Sequence, residues 1–245
     1  WPQSTLLQLA FVNATLSHNF SDTWSFQGNA YFRGFRQSHV DGNGTNVQPC
    51  DDPTTLCIGD GLPIFGPADG PPTPNTLGNA FLGEVDRNQT ATNGYGGTAQ
   101  LTNSDQLFGH DNHVVMGVSV DHGNTKFTAT SELGTVAPNN LFVTGTGVFI
   151  NQPDAGLSPV DLRATNTYTG VYLTDTFDVT NRFSVTAGGR FNYAQIDLKD
   201  QTGTNDLLNS SNRFQRFNPV IGGTFKITPN LTAYAGYSEA NRAPT

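Results

Sequence analysis

Charged residues and long hydrophobic runs are both scarce in this sequence. Charged residues make up 13% of its 245 positions, and Lys126, Lys199 and Lys226 are its lysines. With a formal net charge of −8 and no basic cluster, the chain lacks the cations that replace phosphate counterions, so we expect no nucleic-acid partner. No run approaches the roughly 18 apolar residues of a membrane-spanning helix. No basic segment followed by an apolar one opens the chain, so a signal peptide would lie outside this sequence.

Cysteine is nearly absent, and the two cysteines lie close together. Cys50 and Cys57 flank a turn-forming Asp-Asp-Pro in the sequence CDDPTTLC. In an oxidising compartment such a local pair predicts a disulfide that holds a loop together. Metal binding is the less favoured alternative, because no histidine accompanies the pair and the CxxC spacing is absent.

Motifs of catalytic and cofactor chemistry are missing as well. The sequence contains no G-x-S-x-G elbow, no P-loop and no His-Glu-x-x-His. His110 and His113 lie in a predicted turn, where a spacing of three does not align ligands as it would on a helix. We therefore favour a polar turn there and predict neither an enzyme nor a metal or cofactor site.

Two-residue alternation of apolar and polar side chains is abundant. In RFSVTAGGRFNYAQIDL, for example, Phe183, Val185 and Phe191 share one face and Arg190 falls on the other. Strict alternation over this length predicts β-strands, and they are long against the usual five to six residues or so. The predicted strands cover residues 4–19, 24–37, 96–106, 113–122, 164–178, 183–199, 212–227 and 231–242.

The connections between these strands alternate between short and long. Three short ones share a pattern of an apolar residue, Ser or Thr, two turn-forming residues and an apolar residue: FSDTW at 20–24, VTNRF at 179–183 and ITPNL at 227–231. The long ones span about 38–95, 123–163 and 200–211. Short turns at one end and long loops at the other are typical of an outer-membrane barrel.

The fold prediction is therefore an all-β, antiparallel transmembrane β-barrel wall. A strand in lipid must satisfy its backbone polar groups through neighbouring strands, which only a closed barrel does without an edge. Trp24, Tyr193 and Tyr237 lie near strand ends, where aromatic girdles are expected. The alternative is a secreted, soluble β-sandwich that binds or adheres, with the same apolar faces packed between two sheets.

The final strand carries a family resemblance. LTAYAGYSEANRAPT resembles the late-barrel signature of TonB-dependent outer-membrane receptors. The matching positions are Tyr234, Tyr237, Ser238, Glu239, Arg242, Ala243, Pro244 and Thr245. The hairpins before it, over 164–230, are similar to those that precede this signature in the family, whereas the long loops show no such likeness.

The resemblance implies a wall of about 22 strands around a plug domain. Members import scarce, large solutes such as ferric siderophores, haem, cobalamin or glycans, energised through TonB. This implies outer-membrane lipid, a plug, TonB and such a solute as partners, and an outer-membrane location. About eight strands are only part of such a wall, so we expect residues 1–245 to be a partial barrel domain, a fragment without plug or C-terminal strands.

Three cations alternate in step with the polar residues of their strands and so fall on the polar face: Arg33, Arg190 and Lys226. We expect them to face the barrel lumen. There they would salt-bridge across the interior, which we favour, or meet acidic groups of a plug or an anionic solute. The loops at 38–95 and 123–163 would make first contact with the solute, and the Cys50–Cys57 bridge would stiffen the first of them.

Overall fold

The structure is a computed structural model, and it describes residues 3–59, 61–66, 70–78, 80–138, 142–152 and 157–242. Strands account for most of these residues, and a 3-10 turn covers Asp206–Leu208. The strands are β1 Ser4–Asn19, β2 Trp24–Gly44, β3 Val47–Pro49, β4 Leu56–Ile58, β5 Leu62–Pro63, β6 Leu82–Asn103, β7 Asn112–Val136, β8 Val143–Phe149, β9 Val160–Thr180, β10 Phe183–Asp200, β11 Ser210–Thr228 and β12 Leu231–Ser238. Within the same ranges, no helix combines the length and hydrophobicity needed to cross a membrane.

One large antiparallel sheet contains all eight predicted strands. Its order is β1-β2-β6-β7-β9-β10-β11-β12, so each long strand pairs with the next long strand along the chain. The short strand β8 pairs with the C-terminal end of β7. Strands β1 and β12 are the edges, and the sheet is not closed within the described residues. This single large sheet confirms the all-β antiparallel fold. It differs from the two packed sheets of the β-sandwich alternative.

The strand limits, however, were predicted too short at the end that carries the long connections. β2 extends to Gly44, β6 begins at Leu82 and β7 extends to Val136, all inside ranges predicted as loop. Apart from Val85 and Ala91, the segment EVDRNQTATN at 84–93 is polar on both faces and so lacks the alternation that marks a half-buried strand. Their strand character comes from cross-strand pairing along the β6–β7 hairpin, which is continuous from Leu82 to Asn103.

The register divides the sheet into two faces of opposite character. Residues paired across strands lie on the same face. One paired row crosses seven strands through Leu16, Gly28, Ala99, Val118, Val171, Phe191 and Phe217. The next row crosses the same strands through Ser17, Gln27, Gln100, Gly117, Tyr172, Arg190 and Asn218. We call the face of the first row the apolar face and that of the second the polar face.

The apolar face is open to its surroundings. Its large side chains are exposed on each of the seven strands that the apolar row crosses, with Leu16 at 64%, Val171 at 53% and Phe217 at 57%. An exposed apolar surface of this extent marks contact with another apolar phase or molecule. β1 is apolar on both faces, because Leu7, Leu9 and Phe11 project from the polar one.

The main hydrophobic core lies in the long connections. Strands β3, β4 and β5 form a small antiparallel sheet. This sheet packs against the C-terminal end of β7 and against Ile150, the residue after β8. We call this small sheet and the residues packed on it the cap. Its buried members are Val47, Leu56, Ile58, Ile64, Leu133 and Ile150. Leu133 belongs to the polar face by register, so the cap folds over that side of the sheet.

Candidate functional site: the polar face of the sheet

Arg190 is the most connected cation of the polar face. Its Nη2 donates to Ser119 Oγ at 2.6 Å and its Nε to Asn192 Oδ1 at 2.6 Å. Its guanidinium carbon lies 5.5 Å from the centre of the Tyr172 ring, within range of a cation–π contact. Three polar or aromatic partners therefore hold this side chain against the sheet.

The reach of Arg190 depends on a glycine beneath it. Arg190 is on β10 and Ser119 is on β7, so the side chain crosses the intervening strand β9 at Gly170. A Cβ at Gly170 would lie 2.1 Å from Arg190 Nη2, so any larger residue would displace the guanidinium. A small residue under a long one lets a side chain span two strand spacings.

Two tyrosines make similar long reaches. Tyr31 on β2 donates to Asp121 Oδ1 on β7, and Tyr172 on β9 donates to Gln100 Oε1 on β6 at 2.9 Å. Each hydroxyl passes over one intervening strand. With Arg190 these bonds link β2, β6, β7, β9 and β10 by side chains as well as by backbone.

The segment after β12 lies across the same face. Asn241 Oδ1 accepts from Asn218 Nδ2 at 2.7 Å and from Asn192 Nδ2 at 3.1 Å. Between this segment and the sheet lies a cavity of about 370 Å³, whose lining includes Asp121, Arg190 and Arg242. The lining of the cavity thus carries both signs of charge.

Some signature residues within the described ranges make side-chain hydrogen bonds, and others are part of the β11–β12 strand pairing. Glu239 accepts from Arg216 Nη2 at 2.9 Å and from the Tyr237 hydroxyl at 2.7 Å, which anchors the segment after β12. Tyr234 pairs with Thr224 on the polar face and Ser238 with Val220. Ala243, Pro244 and Thr245 lie outside the described residues.

The other predicted lumen candidates are placed on the same face by register. Arg33 pairs with Phe11 and Gly94 and is exposed. Lys226 pairs with Thr232 near the tight turns, far from Arg190 along the strands. The sheet therefore brings the three cations to one face but not to one cluster.

Sequence reasoning missed the partners that give this face its structure. Tyr31, Gln100, Ser119 and Tyr172 carry no signal in the sequence, because each is an ordinary polar or aromatic residue in its own strand. The turn signal GNT after Asp121 predicts a solvated loop residue there, whereas the structure places Asp121 on β7 as the partner of Tyr31. Their common signal is a glycine on the neighbouring strand, but its use requires the register, which a single sequence does not supply.

The cap contains the predicted disulfide, and the C-terminal end of β7 carries an ionic centre. Cys50 and Cys57 are bonded, with a Cα–Cα distance of 5.0 Å, which confirms the disulfide. Glu132 forms an ion pair with Arg87 and accepts from the backbone N–H of Gly147 at 2.6 Å. Both charged side chains have the register of the apolar face, so their contacts tie the β6–β7 hairpin to β8 on that side of the sheet.

No site for a metal is evident in the described part of the chain. No group of three or more His, Cys, Asp or Glu side chains there could hold an ion. His110 packs against Phe177, with 5.5 Å between ring centres.

Comparison with known proteins agrees with this architecture. Among the solved structures that resemble the chain is the siderophore receptor PiuA from Acinetobacter baumannii, with a TM-score of 0.62 and 15% identity over 97% of this chain and 32% of that one. Another is the ferric-catecholate import receptor Fiu from E. coli K12 in its open form, with a TM-score of 0.56 and 12% identity over 99% of this chain and 37% of that one. At these identities the likeness is one of fold. The chain spans about a third of the length of each. No curated protein matches the sequence.

The family assignment comes from the sequence itself. A family model described as "TonB dependent receptor-like, beta-barrel" matches residues 4–245. This match covers the full set of strands and confirms the resemblance that the last hairpins indicated. The chain therefore belongs to the TonB-dependent receptor β-barrel family.

Proposed function

We propose that this chain forms part of the wall of an outer-membrane transporter that takes up a ferric siderophore or a similarly scarce solute with energy supplied through TonB. The observation that supports the proposal most directly is the sheet of eight long strands with one exposed apolar face and one hydrogen-bonded polar face. In lipid such a wall buries the apolar face against acyl chains and turns the polar face to the lumen. The likeness of fold to a siderophore receptor and to a ferric-catecholate import receptor favours that class of solute.

The polar face would meet the plug and, during transport, the solute. Arg190 has its hydrogen-bonding capacity directed at Ser119 and Asn192, so we assign it to the stability of the wall. Arg33 is exposed on the same face and is the better candidate for an anionic partner. The cap, stiffened by the Cys50–Cys57 bridge, would meet the solute first on the extracellular side.

The two arginines give a matched test of these roles. Arg190→Gln should lower the free energy of unfolding by about 1–3 kcal/mol, because charge-assisted bonds are lost and Ser119 is left without its partner. Arg33→Gln should change it by less than about 0.5 kcal/mol, as expected at an exposed site. Thermal unfolding of both variants in detergent checks this, and equal losses would contradict the division of roles.

Uptake by cells is the experiment that tests the proposed function. Cells that make the protein and cells that lack it would be offered labelled ferric siderophores of several chemical classes, haem, cobalamin and glycans. We expect uptake of one solute class to require the protein and to stop when a proton uncoupler is added. Equal uptake of all these solutes by both kinds of cell would overturn the proposal.

A further inference from the structure

Lysine and arginine are missing from the long connections and the strand ends beside them. Over 37–86, 127–162 and 200–212 the sequence contains neither residue, whereas it contains seven, three and two acidic residues there, of 20 in the whole chain. All 12 lysines and arginines therefore lie elsewhere, together with eight acidic residues. The formal net charge of −8 arises from these three stretches, and the rest of the chain is positively charged.

All three stretches belong to the same end of the sheet. The first connects β2 to β6 and contains the small sheet of the cap, the second connects β7 to β9 through β8, and the third connects β10 to β11. Because neighbouring strands are antiparallel, these connections lie opposite the tight turns. In the proposed transporter this end is the extracellular mouth, and a surface of one sign attracts solutes of the opposite sign before contact.

Two carboxylates of the first stretch lie opposite each other on the polar face of the sheet. Asp41 on β2 pairs directly with Asp86 on β6, and the next pair on this face is Asn43 with Glu84. Like charges directly opposite each other are destabilising. In the described part of the chain, no lysine or arginine lies within ion-pair distance of these three carboxylates. A cation from outside would relieve the repulsion, and an anion would increase it.

The hydrogen-bond donors to the opposed pair are neutral. Asp41 Oδ1 accepts from Gln3 Nε2 at 2.8 Å, and Asp86 Oδ2 accepts from Asn43 Nδ2 at 2.9 Å. Asp86 Oδ1 accepts from the hydroxyl of Ser131. These amide and hydroxyl donors fix the direction of the carboxylates without compensating their charge, so two oriented negative charges remain for a cationic partner.

A cavity of about 290 Å³ lies between this pair and the cap. Asp41 and Asp86 line it on the side of the sheet with His39, and Ile150 and Leu157 line it on the side of the cap. An alkylammonium group has a charged head and an apolar stem, so its head would meet the carboxylates and its stem the two aliphatic side chains. A bare metal ion fits less well, since no group of three or more metal-ligating side chains occurs among the described residues.

We propose that the solute of this transporter is a cationic ferric complex, and that Asp41 and Asp86 receive its free alkylammonium group beneath the cap. The inference rests on the proposed function and narrows its solute. Three catecholate groups give a ferric complex a net negative charge, whereas three hydroxamate groups neutralise the iron. A ferric hydroxamate with one ammonium group is therefore a cation, which the acidic mouth attracts, while it repels ferric catecholates.

A series of probes with one iron-binding core and different charges tests the solute class. Desferrioxamine B binds ferric iron through three hydroxamates and keeps a free ammonium group. Its N-acetyl derivative gives a neutral complex, and its N-succinyl derivative gives an anionic one. Uptake of radioactive iron from these complexes and from a ferric tris-catecholate would be compared between cells that make the full-length protein and cells that lack it.

We expect protein-dependent uptake to be fastest for the ammonium complex, slower for the acetyl complex, slowest for the succinyl complex and absent for the tris-catecholate. The preference for the ammonium complex should shrink as the salt concentration rises, because screening weakens the attraction. Equal uptake of the three hydroxamate complexes, or faster uptake of the succinyl complex or the catecholate, would overturn the inference. This comparison uses the unaltered protein and so does not depend on the folding of a variant.

Two charge-matched double variants test the assigned residues. Asp41→Asn with Asp86→Asn removes the opposed pair, and Asp22→Asn with Asp111→Asn removes two exposed carboxylates at the tight-turn end. The first should raise the concentration of ammonium complex needed for half-maximal uptake by roughly 3- to 30-fold, since two ion pairs are lost, and should affect the acetyl complex less. The second should leave both unchanged. With uptake normalised to the folded protein in the membrane, equal effects of the two variants, or no effect of either, would refute the assignment.

Failure of this inference can be distinguished from failure of the proposed function. Haem, cobalamin and glycans would be offered to the same cells. Protein-dependent uptake of one of these in place of the ammonium complex would leave the transport function standing and overturn the inference. If uptake of no solute in the set requires the protein, the proposed function is overturned and the inference with it.

Discussion

At the scale of single residues, the polar face is organised by long side chains that lie over glycines. Tyr31 passes over Gly96 and Arg190 over Gly170 on the way to partners on the next strand but one. Glycine in a strand interior is otherwise unfavourable, and a close approach of other groups is its usual reason. The large share of glycine in these strands thus has a packing cause that composition alone does not show.

A pair of glycine substitutions on β6 tests this point. A Cβ at Gly96 would lie 2.6 Å from the Val120 carbonyl oxygen and 2.9 Å from the Tyr31 ring, whereas at Gly94 the nearest atom is the His122 carbonyl oxygen at 3.6 Å. Gly96→Ala should therefore lower the free energy of unfolding by about 1–3 kcal/mol through overpacking. Gly94→Ala, on the same face, should be close to neutral. Unfolding in denaturant with detergent present measures both, and equal effects would refute the packing account.

At the scale of elements, the cap is a small folded unit attached to the sheet by the β6–β7 hairpin. Its stability has two sources: the buried cluster around Leu56 and Ile64, and the Cys50–Cys57 bridge. The main sheet has neither a core of that kind nor a disulfide in its described part, so the two should lose structure separately.

Removal of the disulfide should loosen the cap and leave the sheet intact. Cys50→Ser with Cys57→Ser should lower the stability of the cap by roughly 2–3 kcal/mol, because the unfolded loop gains conformational entropy. Amide hydrogen exchange should then be faster at Leu56 and Ile58 and unchanged at Val118. Reductant should reproduce this in the unaltered protein and do nothing further to the double variant. Faster exchange at Val118 would mean that cap and sheet form one cooperative unit.

Inside the disulfide loop, a carboxylate makes the turn sensitive to acid. Asp52 accepts bonds from the Thr54 hydroxyl at 2.7 Å and the Thr54 N–H at 3.0 Å, and these bonds lower the pKa of Asp52. A lowered folded-state pKa means that the stabilisation is present above the ordinary Asp value and is lost as the pH falls through the lowered one. Exchange of the Thr54 amide should therefore rise in that acidic range. Asp52→Asn should abolish this pH dependence of Thr54 amide exchange, whereas Asp51→Asn should leave it unchanged.

At the scale of the whole molecule, the apolar face is an extended, exposed surface of the described part of the chain. The described part of the protein buries few apolar side chains outside the cap, while those from Leu16 to Phe217 are exposed across the sheet. A soluble protein would hide such a surface. In a membrane the same exposure is the source of stability, because the acyl chains take the place of a core.

Depth-dependent lysine substitutions on β7 test that assignment. Val118→Lys would place a cation in the middle of the apolar band and should lower stability by about 2–4 kcal/mol in lipid. Thr128→Lys is on the same face beyond the band, opposite Asp161, and should cost no more than about 1 kcal/mol. Folding titrations in phospholipid vesicles compare the two. Similar costs at both positions would show that this face does not lie in a membrane.

Much of this architecture could be inferred from the order of residues alone. Alternation of side chains with period two, as from Phe183 to Phe191, requires strands with one apolar and one polar face, and the short turns fix antiparallel neighbours. The same local chemistry gave the Cys50–Cys57 bridge, because seven residues with a turn between them bring the two sulfurs together. These features depend on neighbours in the chain, which a sequence contains in full.

Other features depend on which residues of distant strands become neighbours, and only the folded sheet decides that. The strand extension over 84–93 has no pattern of its own and exists because it pairs with β7. Arg190 meets Ser119 across 71 positions of sequence, and Tyr31 meets Asp121 across 90. Register across the sheet sets these contacts, and a shift of one residue would turn each of them to the other face.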